Sequence, residues 1–281
     1  MNMELLCREQ IVGMNQHYQR YSLDYFMDAQ QRIGIHNIEL WCGAQHFWLD
    51  DQRYADVRVL QKKLRLHGLQ VVSLTCPSFR YAYQYAPFSS QVREACLGYF
   101  CKGLAVAEEL GCRIMTVNSG WGCAGRSREY AWKASRDLLR TLAEEAERRG
   151  VTLALESLRR DESNLVYGLE QARQMVSEVC HPALKVMVDT IAMGAAGETL
   201  EQWFQAFGPD LIHMHFLDGA PYVHQIWGDG SYPLEEMLHC LRDHGYHGYL
   251  VQEIADERYF DNPAAADEQN YRVLSRFLTD R

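Results

Sequence analysis

The 281-residue chain has nine cysteines but no C-x-x-C pair. Their odd number and scatter (positions 7, 42, 76, 96, 101, 112, 123, 180 and 240) argue for reduced thiols rather than a disulfide framework. No apolar run reaches the ~18 residues of a membrane-spanning helix. The charged first ten residues lack a signal-peptide core. A cytoplasmic protein without a membrane partner is therefore expected. Positive charge is also scarce: 28 Lys and Arg against 37 Asp and Glu leave a net charge of −9. Counterion release at a nucleic acid needs a basic face, so no nucleic-acid partner is expected. The basic triplet Lys62-Lys-Leu-Arg65 reads as a solvated helix face. Finally, no G-x-G-x-x-G follows the first apolar run, which removes the main sequence support for a dinucleotide-binding sheet.

What is present is alternation. Eight short apolar runs read as strands: 10–15, 37–41, 69–75, 113–117, 151–156, 184–189, 211–216 and 249–253. Each is followed by a segment of helical periodicity: 22–33, 50–67, 89–110, 127–149, 169–179, 200–207, 233–244 and 264–278. Near-continuous apolar strands are buried on both faces, as parallel strands are. Eight such units in 281 residues predict a single α/β domain spanning 1–281, a closed (β/α)8 TIM barrel rather than an open sheet.

Active-site groups of such a barrel sit at the C-terminal ends of its strands. The ends of strands five to eight carry Glu156, Asp189, His215 and Glu253. Each closes an apolar sequence: Leu-Ala-Leu-Glu156, Val-Met-Val-Asp189, His-Met-His215 and Leu-Val-Gln-Glu253. A carboxylate there is costly to bury unless it is paired or ligates a cation. Three acids and one imidazole at consecutive strand ends predict one divalent metal site. Hard oxygens with a single nitrogen suit Mn²⁺, Co²⁺ or Mg²⁺, with Zn²⁺ as a further option. His213 shares the face of His215 but lies ~7 Å deeper, where it reads as a hydrogen-bonded core histidine. His224, Asp218 and Asp229 fall in the loop after strand seven. The aromatics Phe79, Tyr81, Tyr83, Tyr85 and Phe88, with Trp41 and Trp121, read either as packing or as a sugar-stacking wall.

These motifs resemble the xylose-isomerase-like barrel superfamily. The resemblance rests on Leu155-Glu-Ser-Leu158 with Glu162-Ser-Asn164, Val188-Asp189, His213-Met-His215 and Gln252-Glu253, and covers nearly the whole chain. Within it the chain is most similar to the sugar 3-epimerases, of the fructoselysine and D-tagatose/D-psicose types. Asp218, His224, Gly228-Asp-Gly230 and Pro233-Leu234 resemble the fructoselysine branch. The resemblance implies an isomerase that epimerises C3 of a ketose or fructosamine through a metal-bound cis-enediolate. Mn²⁺ is the ion it implies first, held by Glu156, Asp189, His215 and Glu253. Glu156 and Glu253 would also transfer the protons. Glu162, His224, Asp218 and Trp41 would contact substrate. The ketohexose epimerases have His where this chain has Ala192 and Arg where it has Pro221, which favours a substituted sugar. A homo-oligomer is expected. An aldose–ketose isomerase or inosose dehydratase would use the same four ligands. An endonuclease-IV-like nuclease would need further metal ligands that strands three and four do not offer.

Overall fold

A computed structural model describes residues 6–50, 56–78, 82–219 and 222–280. Its eight strands are β1 Ile11–Met14, β2 Asn37–Trp41, β3 Gln70–Thr75, β4 Ile114–Val117, β5 Thr152–Glu156, β6 Leu184–Asp189, β7 Leu211–His215 and β8 Tyr249–Gln252. They close into a barrel in sequence order, and β1 pairs in parallel with both β2 and β8. The TIM barrel expected from the alternating pattern is therefore the observed fold.

The helices of the described residues are α1 Leu23–Ile33, α2 Val57–His67, α3 Ser90–Leu110, α4 Arg128–Arg148, α5 Leu169–Val179, α6 Thr190–Ala195, α7 Leu200–Phe207, α8 Leu234–Asp243 and α9 Pro263–Leu274. Ser22, Ser89, Ser127 and Thr199 each accept a backbone N–H in the first turn of the helix that follows. Gly34 ends α1 with φ +89°, a left-handed position that glycine takes without strain. The sequence pattern begins the second helix at Asp50. Residues 51–55 lie outside the described residues, and α2 starts after its cap Asp56. The last helix ends at Leu274 instead of Leu278. None of these helices is long and apolar enough to cross a membrane.

Period-2 alternation divides the strand side chains between two cores. Outward residues such as Ile38, Leu40, Leu155, Val188 and Met214 join the large apolar layer beneath the helices. Val12, Met14, Trp41, Val72 and Val251 form a separate plug. Two register shifts interrupt the ladder, between Ile38 and Glu39 in the β2–β3 pair and between Val186 and Met187 in the β6–β7 pair. Shifts of this kind re-aim the side chains that follow.

A buried polar network fastens α1 and α9 to the barrel. Asp267, fully buried on α9, accepts the Tyr18 hydroxyl at 2.7 Å and Gln30 Nε2 at 2.6 Å. His17 Nε2 lies 3.2 Å from its other oxygen. Asn270 of α9 donates to Gln252 at 2.8 Å, next to Glu253. Gly13 permits the arrangement, because a Cβ there would lie 2.0 Å from Gln30 Oε1. Asp267→Leu leaves these donors without an acceptor. It is expected to cost about 3–5 kcal/mol of stability in urea unfolding. A loss below about 1 kcal/mol would contradict this account of the closure.

Candidate metal centre

The cavity of ≈ 630 Å³ that holds the site opens at the C-terminal ends of the strands. Glu156, Asp189 and His215 are the last residues of β5, β6 and β7, and Glu253 immediately follows β8. His215 Nδ1 lies 2.9 Å from Glu156 Oε1, 2.8 Å from Glu253 Oε2 and 4.0 Å from Asp189 Oδ2. One donor atom from each of the four lies within 4.8 Å of the others. The sequence-predicted ligand set is thus gathered in space.

Asp189 divides its two oxygens between two tasks. Oδ1 accepts the backbone N–H groups of Ile191 at 2.6 Å and Ala192 at 3.0 Å, capping α6. Oδ2 meets His224 Nε2 at 2.7 Å and faces the other acids. The sequence pattern did not anticipate α6, because six residues are too short to show helical periodicity.

The electrostatics reflect three acids crowded around two imidazoles. Burial pushes the Glu156 carboxyl up to about 8, against the pull of His215. Burial also works against a charged Asp189, yet His224 and His215 hold it below the usual carboxylate range. Burial disfavours charge on His224 as well, but Asp189 beside it raises its pKa to about 9. His215 is likewise raised well above the ordinary histidine range, since Glu253, Glu156 and Glu39 outweigh its burial. His215 Nδ1 is buried without a hydrogen-bond partner, although two carboxylate oxygens stand within 3 Å. An unpartnered nitrogen among three hard oxygens fits a divalent cation, which would neutralise the acids and take that nitrogen as a ligand.

Around this cluster the cavity is lined by Trp41, Glu162, His224, Asn118, Arg159 and Tyr222, among others. Glu162 is paired with Arg159 Nη2 at 2.8 Å, and Arg159 also donates to the Tyr222 carbonyl. Asp218 does not line the cavity. Its carboxylate accepts the backbone N–H groups of Gly219, Gly228, Gly230 and Tyr232 at 2.8–3.0 Å. It organises the loop that carries His224, and a Cβ at Gly230 would fall 2.3 Å from it. Asp229 is likewise engaged, accepting the Tyr259 hydroxyl at 2.6 Å. Tyr83 and Tyr85 stack on Tyr99 and Phe100 of α3, so these two pack instead of walling the cavity. Phe79 and Tyr81 lie outside the described residues.

Sequence reasoning passed over Glu39. It is fully buried in β2 and bonded to His213 Nε2 at 2.7 Å and His215 Nε2 at 3.0 Å. The available signal was a charged residue inside the apolar run Ile38-Glu-Leu40. His213 occupies the hydrogen-bonded core position expected of it. Asn118 and Arg159 also line the cavity and lie in loops where no strand or helix periodicity singles them out.

Comparison with known proteins gives three kinds of likeness. The family model described as "Xylose isomerase-like TIM barrel" matches residues 27–280. Fructoselysine 3-epimerase of Escherichia coli O157:H7 is 26% identical over 263 residues, 92% of this chain and 94% of that protein. The D-psicose 3-epimerase of Clostridium cellulolyticum H10, solved with D-tagatose, superposes with a TM-score of 0.78 at 16% identity, covering 96% of this chain and 99% of that one. The IOLI protein, solved with a zinc atom, superposes with a TM-score of 0.76 at 18% identity, covering 96% and 99%.

The protonation states predict how cation binding depends on pH. Near pH 7, with no cation bound, Glu156 (about 8) and the imidazoles hold protons. A cation needs Glu156 and His215 Nδ1 deprotonated, so its binding releases protons. Mn²⁺ affinity measured by equilibrium dialysis should tighten steadily from pH 6 to about 8. Affinity that is flat or weakens over that range would contradict the assignment.

Proposed function

The chain belongs to the xylose isomerase-like TIM barrel family, and on that premise we propose that it is a divalent-metal-dependent sugar 3-epimerase acting on a ketose or fructosamine. The observation that carries the reading is the convergence of Glu156, Asp189, His215 and Glu253 on one point of the cavity floor. Fructoselysine 3-epimerase, a relative along nearly the whole length, supports the same reaction class.

Glu156, Asp189 and Glu253 line the cavity, and the two glutamates are the more exposed. Glu156 and Glu253 leave 11% and 14% of their side chains exposed, against 1% for His215. Both acids lie beside the same imidazole nitrogen, on strands set apart around the barrel mouth. A substrate lying between them presents one face of C3 to each carboxylate. One glutamate removes the C3 proton and the other returns a proton to the opposite face, which inverts the centre. The direction of reaction decides which glutamate does which. A cation held by the four ligands would supply the positive charge that acidifies the C3 proton and stabilises the developing oxyanion.

The cavity's ≈ 630 Å³ falls in the range that accepts drug-sized molecules and exceeds what a bare hexose needs. That room supports a ketose carrying a substituent. Glu162 and Trp41 line the same cavity and are assigned to substrate contact. His224 is assigned to it as well, while it also braces Asp189. The proposal carries with it Mn²⁺ as the ion, a cytoplasmic location and a homo-oligomer. Exposed Phe88 and Tyr130, whose hydroxyl donates to the Phe88 carbonyl, would offer the oligomer an apolar patch.

Turnover in D₂O should place deuterium at C3, read by NMR. Glu156→Gln and Glu253→Gln should each lower kcat by at least about 10²-fold. Label at C1 alone would identify an aldose–ketose isomerase and overturn the assignment of C3.

A further inference from the structure

Glu39 is not among the four ligands, yet it accepts four side-chain hydrogen bonds while fully buried. Ser73 Oγ (2.5 Å) and His213 Nε2 (2.7 Å) bind Oε2, while Thr75 Oγ1 (2.7 Å) and His215 Nε2 (3.0 Å) bind Oε1. Both register shifts of the barrel bear on this cluster. The β2–β3 shift sets Glu39 opposite Ser73. The β6–β7 shift sets His213 opposite Met187 and so brings His215 level with Asp189.

We infer that Glu39 is a positioning residue for the metal centre. By accepting the Nε2–H of His215 it makes Nδ1 the nitrogen that would yield its proton to a cation, and it aims that nitrogen at Glu156, Asp189 and Glu253. An imidazole has two nitrogens, and only the one without a proton can ligate. A carboxylate behind the ring selects that nitrogen, fixes the ring plane and makes the ligand more basic. His213 grips the other oxygen of Glu39, so the two histidines of β7 hold one carboxylate between them. This explains why the strand carries both.

Glu39, His213 and His215 also offer donor atoms within 4.8 Å of one another, which raises the alternative of a second ion. The bonding opposes it. A carboxylate has about four lone-pair sites, and Glu39 spends them on two hydroxyls and two ring nitrogens.

The inference rests on the proposed metal site and not on the epimerase activity. Its test is Mn²⁺ binding by equilibrium dialysis to chelator-stripped protein. Glu39→Gln should weaken binding about 10–100-fold with the stoichiometry unchanged at a single ion per chain. Ser73→Ala removes a hydroxyl from the same carboxylate but keeps its bond to His215, and should bind Mn²⁺ nearly as wild type does. Equal weakening in both variants would mark a general loss of structure and overturn the inference. So would undiminished affinity in Glu39→Gln, or two ions per wild-type chain falling to one in that variant. Wild-type protein that binds no Mn²⁺ would overturn this inference and the metal reading together. A check on the unsubstituted chain uses ¹⁵N-labelled histidine with Zn²⁺ bound. His215 should carry its proton on Nε2, and a proton on Nδ1 would contradict the positioning role.

Discussion

Three carboxylates on the floor of one buried cavity repel one another, and the rest of the site is arranged around that repulsion. Glu156, Asp189 and Glu253 surround a single imidazole nitrogen. Burial alone makes each charge expensive. Without a cation the cluster answers with protons: burial pushes Glu156 up, and His215 and His224 are held in their charged forms. A divalent ion held by the four groups would take the place of the protons on Glu156 and His215 Nδ1. It would thereby leave Glu156 ionised, the state the proposed role as a base requires.

The scaffold holds this geometry from several sides. Asp189 is fixed by capping α6 with one oxygen while the other faces the site. Glu39 stands behind His215. The Asp218 carboxylate gathers four backbone N–H groups and so shapes the loop that brings His224 to Asp189. Asp267 and Asn270 tie α9 to the first helix and to Gln252, the neighbour of Glu253. Each support is a buried polar side chain held by several hydrogen bonds, which makes the position of its partner specific rather than approximate.

Much of this was legible in the sequence because it lies on regular elements. The β/α alternation gives the barrel, and the acids and histidine that close apolar runs give the four strand ends. What escaped reading depends on long-range contact or on broken periodicity. Glu39 resembles any charged residue in a strand until the β2–β3 register shift turns it toward residues 174 and 176 positions away in sequence. Asp218 looks like a candidate for substrate contact by its place after β7, but its turn consumes all of its acceptor capacity. Tyr83 and Tyr85 sit in a loop whose side-chain directions no periodicity fixes, and they fold back onto α3. The α6 cap was hidden because Asp189 reads equally well as the end of a strand.

The central claim is that one divalent ion sits where the four strand ends meet. Crystals grown with Mn²⁺ and measured at the manganese absorption edge test it most directly. The account predicts a single anomalous peak in the barrel, coordinated by Glu156, Asp189, Glu253 and Nδ1 of His215. A barrel with no peak at that point, or one whose ion lies instead between Glu39 and His213, would contradict it.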